Sequence, residues 1–529
     1  MNVPMLTTDF LDRGVDLYDD VTAVVADDGT EYTYAEFGER VNRLSNALLE
    51  MGLEQGDRVA LVSGNTHYFL ETQFATQQLG LVYVPINYRL IPADYEYILN
   101  DCEARVMIAD YEFADKVEAV RDSVPVEHFI GYESDRIEGE WEDYEAVLQS
   151  GAPEQPQRPD IDEDDDATIN YTSGTTGDPK GVVRTHRTEH WHALVLIHHK
   201  EIQDDDTYLW TLPMFHCNGW GHTYAMTGVG ATHVCQRKFD AGATFETIRE
   251  YDVSYLCGAP TVLNRLIDYY DEHEPVTTGA VDVRLATAGS APPSATIRTV
   301  EDKFGWKLIH LYGLTETAPI VTTSNSPRRL AEGDPFKIKP KQGFATLCTE
   351  IRVVDEDGND VPRDGQTMGE VVVRGNQVMD RYLNKPEATH EAFNARAPGF
   401  FHTGDIGTMD ENAMISIQDR KKDIIITGGE NVSSIQVEDA LYDHPDIRRV
   451  AVIGTPSDEW GEVVTALIVR ADESLTEDDV EAFARERLAG YKIPRRIEFV
   501  EDLPDTATGK VQKFELRERY WEGEESRVG

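Results

Sequence analysis

The sequence predicts an α/β protein with a large N-terminal domain and a small C-terminal one. The large part reads as two α/β sheet subdomains plus a small β-rich subdomain; the small part reads as α+β. Three observations predict this. Strand-like and helix-like segments alternate over 58–109 and again over 208–312, the pattern of parallel sheets covered by helices. Short strands with tight-turn signals such as Asp357-Gly358 fill 344–419. A charged stretch, DRKKD at 419–423, then separates off a compact tail.

In order, 58–62 reads as a strand and 67–79 as a helix with Leu70, Phe74 and Ala75 near one face. Strand 81–85, helix 93–100 and strand 106–109 follow. A polar stretch over 149–166, with three prolines and a run of acids, reads as a loop. It leads into a short strand at 167–171. The second alternation has strands at 208–212, 253–257, 284–288 and 307–312, with helices at 241–251, 260–270 and 293–304. The tail has strands at 449–453, 463–469 and 496–500 and a clear helix at 476–488. These breaks divide the chain into 1–421 and 422–529. A length of 529 residues exceeds what one core organises.

Composition narrows the function. Lys plus Arg number 49 and Asp plus Glu 97, a net charge of −48. Such a surface repels nucleic acid and anionic membranes. The acids are spread through the whole chain, and apolar residues at 40% suit a globular protein. The charge reads as a solvation strategy, as in proteins of salt-loving organisms, where salt weakens the self-repulsion. No stretch approaches the apolar length of a membrane span, and MNVPMLTTDFLDRG has no signal-peptide pattern. Five cysteines without a CxxC favour a reducing, cytoplasmic setting.

The run YTSGTTGDPKG, from Tyr171 to Gly181, is the strongest chemical signal. Glycines let backbone amides approach an anion; Thr172, Ser173, Thr175, Thr176 and Lys180 add donors. The spacing G-x-x-x-x-G-K-[ST] of the nucleoside-triphosphatase loop is absent. Five further stretches stand with it: PMFHCNGW (213–220), AGSAPP (288–293), HLYGLTET (310–317), FFHTGDIG (400–407) continued by DRKKDIIITGGEN (419–431), and LPDTATGK (503–510). Each alone has a plainer reading as a strand end, a turn or a surface loop. Five histidines crowd 186–199; His186 and His190 have the i, i+4 spacing of a zinc pair. Without an HExxH pattern they read as one helix packed on a sheet.

In this order and over nearly the whole chain, the six stretches resemble the adenylate-forming superfamily, in the version found in acyl-CoA synthetases of the fatty acid–CoA ligase type. The resemblance implies a barrel-like β subdomain and a mobile C-terminal domain. It implies ATP-dependent activation of a carboxylic acid to an acyl-adenylate, then transfer to coenzyme A. The implied acid is an apolar monocarboxylic acid, a medium-chain or other apolar fatty acid whose length the sequence does not fix. Alternatives are a ligase that loads a carrier protein and a non-catalytic nucleotide-binding protein. A homodimer is an allowed assembly.

The resemblance also assigns residues. Thr172, Ser173, Gly174, Thr175, Thr176, Gly177 and Lys180 would hold the departing pyrophosphate. Glu316, with Thr172, would hold Mg²⁺, and Thr315 would contact the α-phosphate. Gly289, Ser290, Ala291 and Pro292, with His310, Tyr312 and Gly313, would form the adenine slot. Asp405 and Arg420 would bind the ribose. Lys510 would stand between the carboxylate and the α-phosphate, and Lys422 would be the hinge. Gly428 and Gly429 would border the coenzyme A channel, His216 the carboxylate, and Trp220 would gate the acyl tunnel. Two departures stand out: Leu311 where fatty-acid relatives have glycine, and Ile426-Thr427 where some relatives carry a lysine before the glycine pair.

Overall fold

The structure, a computed structural model, describes residues 3–172, 179–325, 327–330, 336, 338–427, 430–457, 460–504 and 511–521. Two large sheets dominate it. In the first, Arg58–Val62 lies between Val82–Ile86 and Ala104–Asp110, parallel to both. Asp166–Thr172 joins in parallel beside Val82–Ile86 and turns back into antiparallel Lys180–Thr185. Arg381–Tyr382, from far along the chain, pairs with that returning strand and closes this edge.

The second sheet has a parallel core of Lys307–Gly313, Arg284–Thr287, Tyr255–Cys257, Thr207–Trp210 and Thr232–Cys235. Two strands absent from the sequence reading, Thr22–Val25 and Glu31–Thr33, extend its far edge. Toward the other edge Ile320–Thr323 runs antiparallel to Lys307–Gly313, and Phe344–Ala345 pairs outside it.

Helices Tyr34–Glu50, His67–Gln77, His186–Lys200 and His222–Val229 contribute to one apolar core shared by both sheets, with Phe37, Phe74, Tyr83, Ile108, Trp210, Tyr224 and Leu311. This placement corrects the amphipathic reading of 67–79. Every residue of His67–Gln77 except Tyr68 is buried, polar ones included. Glu71 meets Arg40 at 2.5 Å, and Gln77 donates to the Tyr224 hydroxyl at 2.6 Å, so these two side chains are partnered rather than solvated.

The β-rich subdomain is an open antiparallel path of four strands, Glu350–Val354, Gly369–Arg374, Phe401–Met409 and Ile415–Arg420. Val353, Val371, Val373, Met409 and Ile415 make its core. The tail from Ile425 forms a further sheet around Ile447–Ser457 and Gly461–Arg470, with Arg496–Phe499 parallel to the latter. Its core includes Val437, Leu441, Val452, Ile468 and Val480. Among the described residues no helix is long and apolar enough to cross a membrane.

Candidate active site

The glycine-rich run lies between two strands that pair with each other. Asp166–Thr172 and Lys180–Thr185 pair antiparallel, with Thr172 directly opposite Lys180. Ser173, Gly174, Thr175, Thr176 and Gly177 lie outside the described residues. The strand ends that flank it are defined: the Thr172 hydroxyl donates to the Lys180 carbonyl at 3.5 Å. The Lys180 ammonium sits 4.8 Å from the ring centre of Tyr382, a cation–π distance.

Three of the other motif segments leave the carboxyl ends of the parallel strands in the second sheet, where open α/β sheets bind ligands. PMFHCNGW follows Thr207–Trp210, AGSAPP follows Arg284–Thr287, and LTE follows Lys307–Gly313. A single turn, Thr315–Thr317, carries Glu316; the Leu314 amide donates to Thr317 Oγ1 at 3.0 Å and fixes its start. Gly313 before it admits no side chain, since a Cβ there would stand 1.7 Å from the Pro319 carbonyl oxygen.

Glu316 and Lys180 meet through Tyr382. The tyrosine hydroxyl donates to Glu316 Oε1 at 2.8 Å. Burial, then the Glu316 charge, raises the Tyr382 phenol, so it stays a donor. Thr315 Oγ1 accepts from Cys217 Sγ at 3.3 Å. Burial pushes the Cys217 thiol up to about 11, so it is a neutral thiol in this contact.

Cys217 opens a run of left-handed residues: Cys217 (φ 51°), Asn218 (53°), Gly219 (58°), Trp220 (55°) and Gly221 (77°). Cys217 and Trp220 each cost about 1–2 kcal/mol in this region, which asparagine tolerates better. A Cβ on Gly219 would meet the Trp210 ring at 2.2 Å. His216, half-buried, immediately precedes this turn, and Trp220 is buried within it.

A second group holds Asp405. Tyr312 donates to Asp405 Oδ2 at 2.6 Å, and Arg420 Nε meets Oδ1 at 2.7 Å. Asp405 and Arg420 are paired across neighbouring antiparallel strands, which sets this register. The Thr403 hydroxyl accepts from the Asp405 amide at 3.0 Å. Burial, then Asp405, raises the Tyr312 phenol; Asp405 raises the Arg420 guanidinium. Each carboxylate oxygen has one protein donor and keeps a lone pair for a ligand hydroxyl.

Gly289 and Ser290 are exposed beside Ala291 and buried Pro292, after the carboxyl end of Arg284–Thr287. His310 does not join these groups by a side-chain bond. Its Nδ1 pairs with the Lys341 carbonyl at 3.0 Å, and burial pushes the imidazole down to about 4. Lys422 is half-buried between Lys421, whose amide donates to the Gly404 carbonyl at 2.9 Å, and Asp423. Asp419 accepts from the Ser434 amide at 2.6 Å, and Arg517 pairs with Asp423. Lys510, Gly428 and Gly429 lie outside the described residues.

The crowded histidines have separate partners: His186 Nδ1 with the Thr7 hydroxyl, His190 with the Leu6 carbonyl, and His192 accepting from the Ile320 amide. Among the described residues no group of three or more His, Cys, Asp or Glu could hold a metal ion. Tyr382, Cys217 and Thr403 were invisible as site residues in the sequence.

Two family models match the chain: AMP-binding enzyme over residues 11–383, and AMP-binding enzyme C-terminal domain over 436–510. The chain is 37% identical to 4-hydroxybutyrate–CoA ligase 2 of Metallosphaera sedula over 96% of its length and 93% of that protein. It is 36% identical to 2-methylpropanoate–CoA ligase CCL4 of Humulus lupulus over 97% of its length and 95% of that protein. The crystal structure of ATP-bound MatB from Rhodopseudomonas palustris superposes with a TM-score of 0.86 at 30% identity, covering 97% of this chain and 99% of that one.

Proposed function

Because the chain belongs to the AMP-binding enzyme family, we propose that it is an AMP-forming acid–thiol ligase that makes acyl-CoA from a short, compact monocarboxylic acid. The observation that carries this is the convergence of Glu316, Tyr382 and Lys180 at the strand that follows the glycine-rich run. That arrangement sets a cation and a carboxylate where a triphosphate would need both.

In the first half-reaction a substrate carboxylate oxygen bonds to the α-phosphorus of ATP, and the bond to pyrophosphate breaks. Lys180 and the glycine-rich run steady the leaving pyrophosphate, Thr315 faces the α-phosphate, and Lys510 offsets the charge on both anions. Asp405 and Arg420 hold the ribose, and Tyr312 with 289–292 walls the adenine. His216 borders the carboxylate. In the second half-reaction the thiol sulfur of coenzyme A bonds to the acyl carbon and AMP leaves. Gly428 and Gly429 would border the thiol's approach. Lys422 would be the turning point between domains 1–421 and 422–529.

The donor set fits Mg²⁺. Tyr382 occupies Oε1 of Glu316, which leaves Oε2 and the Thr172 hydroxyl as hard oxygen ligands for an ion that keeps most of its waters. When bound, the ion would neutralise phosphate charge.

The acid is read from the pocket side. Trp220 and Leu311 are both buried in the central core, and Leu311 replaces the glycine that the resemblance to fatty-acid ligases implies. The two ligases named above act, by their names, on small acids. This narrows the medium-chain expectation toward shorter acids. We also read the net charge of −48 as adaptation to high salt.

Pyrophosphate release with butyrate, 2-methylpropanoate, octanoate and benzoate, with and without coenzyme A, tests the reading. Release with a short acid together with coenzyme A consumption is expected. Release without coenzyme A consumption would point to a carrier-protein acceptor; no release with any acid would overturn the ligase.

A further inference from the structure

We infer that Asn218 is a positioning residue for adenylation, held by a buried ion pair that joins the hairpin base to the left-handed turn beside Thr315. The inference rests on the ligase reading above. Asn218 is fully buried. Its Nδ2 donates to Glu189 Oε1 at 2.9 Å and lies 3.4 Å from Thr168 Oγ1. Glu189 pairs with Arg184 at 3.0 Å, and both side chains are wholly buried. Arg184 Nη2 donates to Asn170 Oδ1. Asn170 Nδ2 in turn reaches the Phe215 carbonyl at 3.4 Å and Asn218 Oδ1 at 3.5 Å.

The ends of this network are what give it a role. Thr168 and Asn170 lie on the strand that enters the glycine-rich run, and Arg184 on the strand that leaves it. Phe215 and Asn218 bracket His216 and Cys217. Cys217 contacts Thr315, the neighbour of Glu316. One buried cluster thus fixes three motif segments that are far apart in sequence. The turn itself has every reason to relax, because Cys217 and Trp220 hold positive φ without being glycine. Asparagine is the side chain that tolerates this backbone and also supplies the donor Glu189 needs. Glu189 Oε2 and Arg184 Nε and Nη1 are buried without a hydrogen-bond partner, so the Asn218 donor on Glu189 Oε1 is one the pair can ill spare.

The test uses the full-length enzyme and acid-dependent exchange of pyrophosphate into ATP. Asn218→Gly keeps the left-handed backbone available and removes the side chain. The expected result is a fall in exchange kcat of at least ~10-fold with the KM for ATP within about twofold, as displacement of aligned groups gives. The melting temperature and near-UV dichroism should report a folded enzyme. Folded Asn218→Gly enzyme with wild-type kcat would overturn the inference. A second pair of variants covers a failure to fold. Asn218→Asp sets a second carboxylate against Glu189 and should lose ~10-fold in kcat. Combining it with Glu189→Gln exchanges donor and acceptor while keeping one carboxylate near Arg184, and should recover kcat to within about threefold. Wild-type kcat in Asn218→Asp alone, or no recovery in a folded double variant, would overturn it. Wild-type enzyme silent with every acid would instead sink the ligase reading.

Discussion

The Tyr382 hydroxyl donates to Glu316 Oε1 at 2.8 Å across a sequence separation of 66 residues. The contact joins the edge of the first sheet to the turn that ends the main parallel run of the second. It leaves Glu316 one oxygen for a ligand and fixes where that oxygen points. Tyr382→Phe removes this bond and keeps the ring under Lys180. A hydrogen bond to a charged group contributes about 1.5–3 kcal/mol. The expected outcome is a rise of roughly tenfold or more in the Mg²⁺ concentration giving half-maximal pyrophosphate exchange, with a melting temperature lowered by no more than about 2–4 °C per kcal/mol lost. An unaltered Mg²⁺ dependence would remove Tyr382 from the site.

Asp405 offers the next prediction. Its side chain is nearly buried and has two donors, Tyr312 and Arg420. Asp405→Asn places an amide where one donor already points and leaves Arg420 without its partner. The KM for ATP should rise at least ~10-fold, the scale of one lost charge-assisted bond. Because Arg420 is partly exposed, water will satisfy it and the loss of fold stability should be about 1 kcal/mol or less. Titration of ATP by fluorescence and a thermal melt separate the two effects.

Composition alone marks the glycine- and hydroxyl-rich run after Thr172 as suited to an anion. Glu316 and Asp405 stand out only through the resemblance of their segments, HLYGLTET and FFHTGDIG, to an adenylate-forming family. Residues that serve other residues were not legible. Tyr382, Cys217 and Asn218 reach the site through pairings set by sheet register and by a run of positive φ that no spacing rule encodes. The strand alternation was read well where strands were buried on both faces, as in Arg58–Val62. Thr22–Val25 and Glu31–Thr33 were missed because they are short, although Asp28-Gly29 between them is a turn signal. His67–Gln77 misled because packing within the shared core overrides amphipathic periodicity.

Six buried histidines set the response to acid. Burial lowers His67 and His186 to about 4, His222 and His233 to about 3, His310 to about 4, and His192 well below its ordinary value. The unfolded chain therefore binds more protons than the native one below pH ~6.5. For these groups stability is present above that pH and is lost as pH falls toward 4, by about 1.4 kcal/mol per pH unit for each extra proton. Glu189 and Asp439 pull the other way, burial raising each to about 7, and burial also raises Asp9, Glu71, Asp110, Asp268, Asp419 and Glu438 by less. The large shifts of the six histidines outnumber the two large carboxylate shifts. In molar KCl, where general repulsion is screened, the melting temperature should fall from pH 6.5 to pH 4. A rise toward acid would contradict the buried neutral imidazoles.

Salt should act on the whole chain. With 97 acidic and 49 basic residues, repulsion outweighs the surface pairs. Raising salt from 0.1 M to 1 M shortens the screening length from about 10 Å to about 3 Å. Unfolding by heat at neutral pH should move upward through that range. Greatest stability at the lowest salt would show that the acids are locally paired and that the reading as salt adaptation is wrong.

Leu311 tests the size of the acid. It sits in the strand Lys307–Gly313, opposite Thr323, and is buried in the central core together with Trp220 and Cys257. Leu311→Ala removes most of that bulk at a position where the strand itself tolerates alanine. Such truncations cost about 2–5 kcal/mol in stability, according to how far the surroundings collapse. If Leu311 limits the acyl end of the pocket, the new space accepts chain length. The kcat/KM for octanoate should then rise relative to butyrate by ~10-fold, near what one or two extra buried methylenes supply. The enzyme should be assayed well below its lowered melting temperature. An unchanged ratio of the two acids, in protein that still activates butyrate, would place the limit elsewhere in the pocket and leave Leu311 as core packing alone.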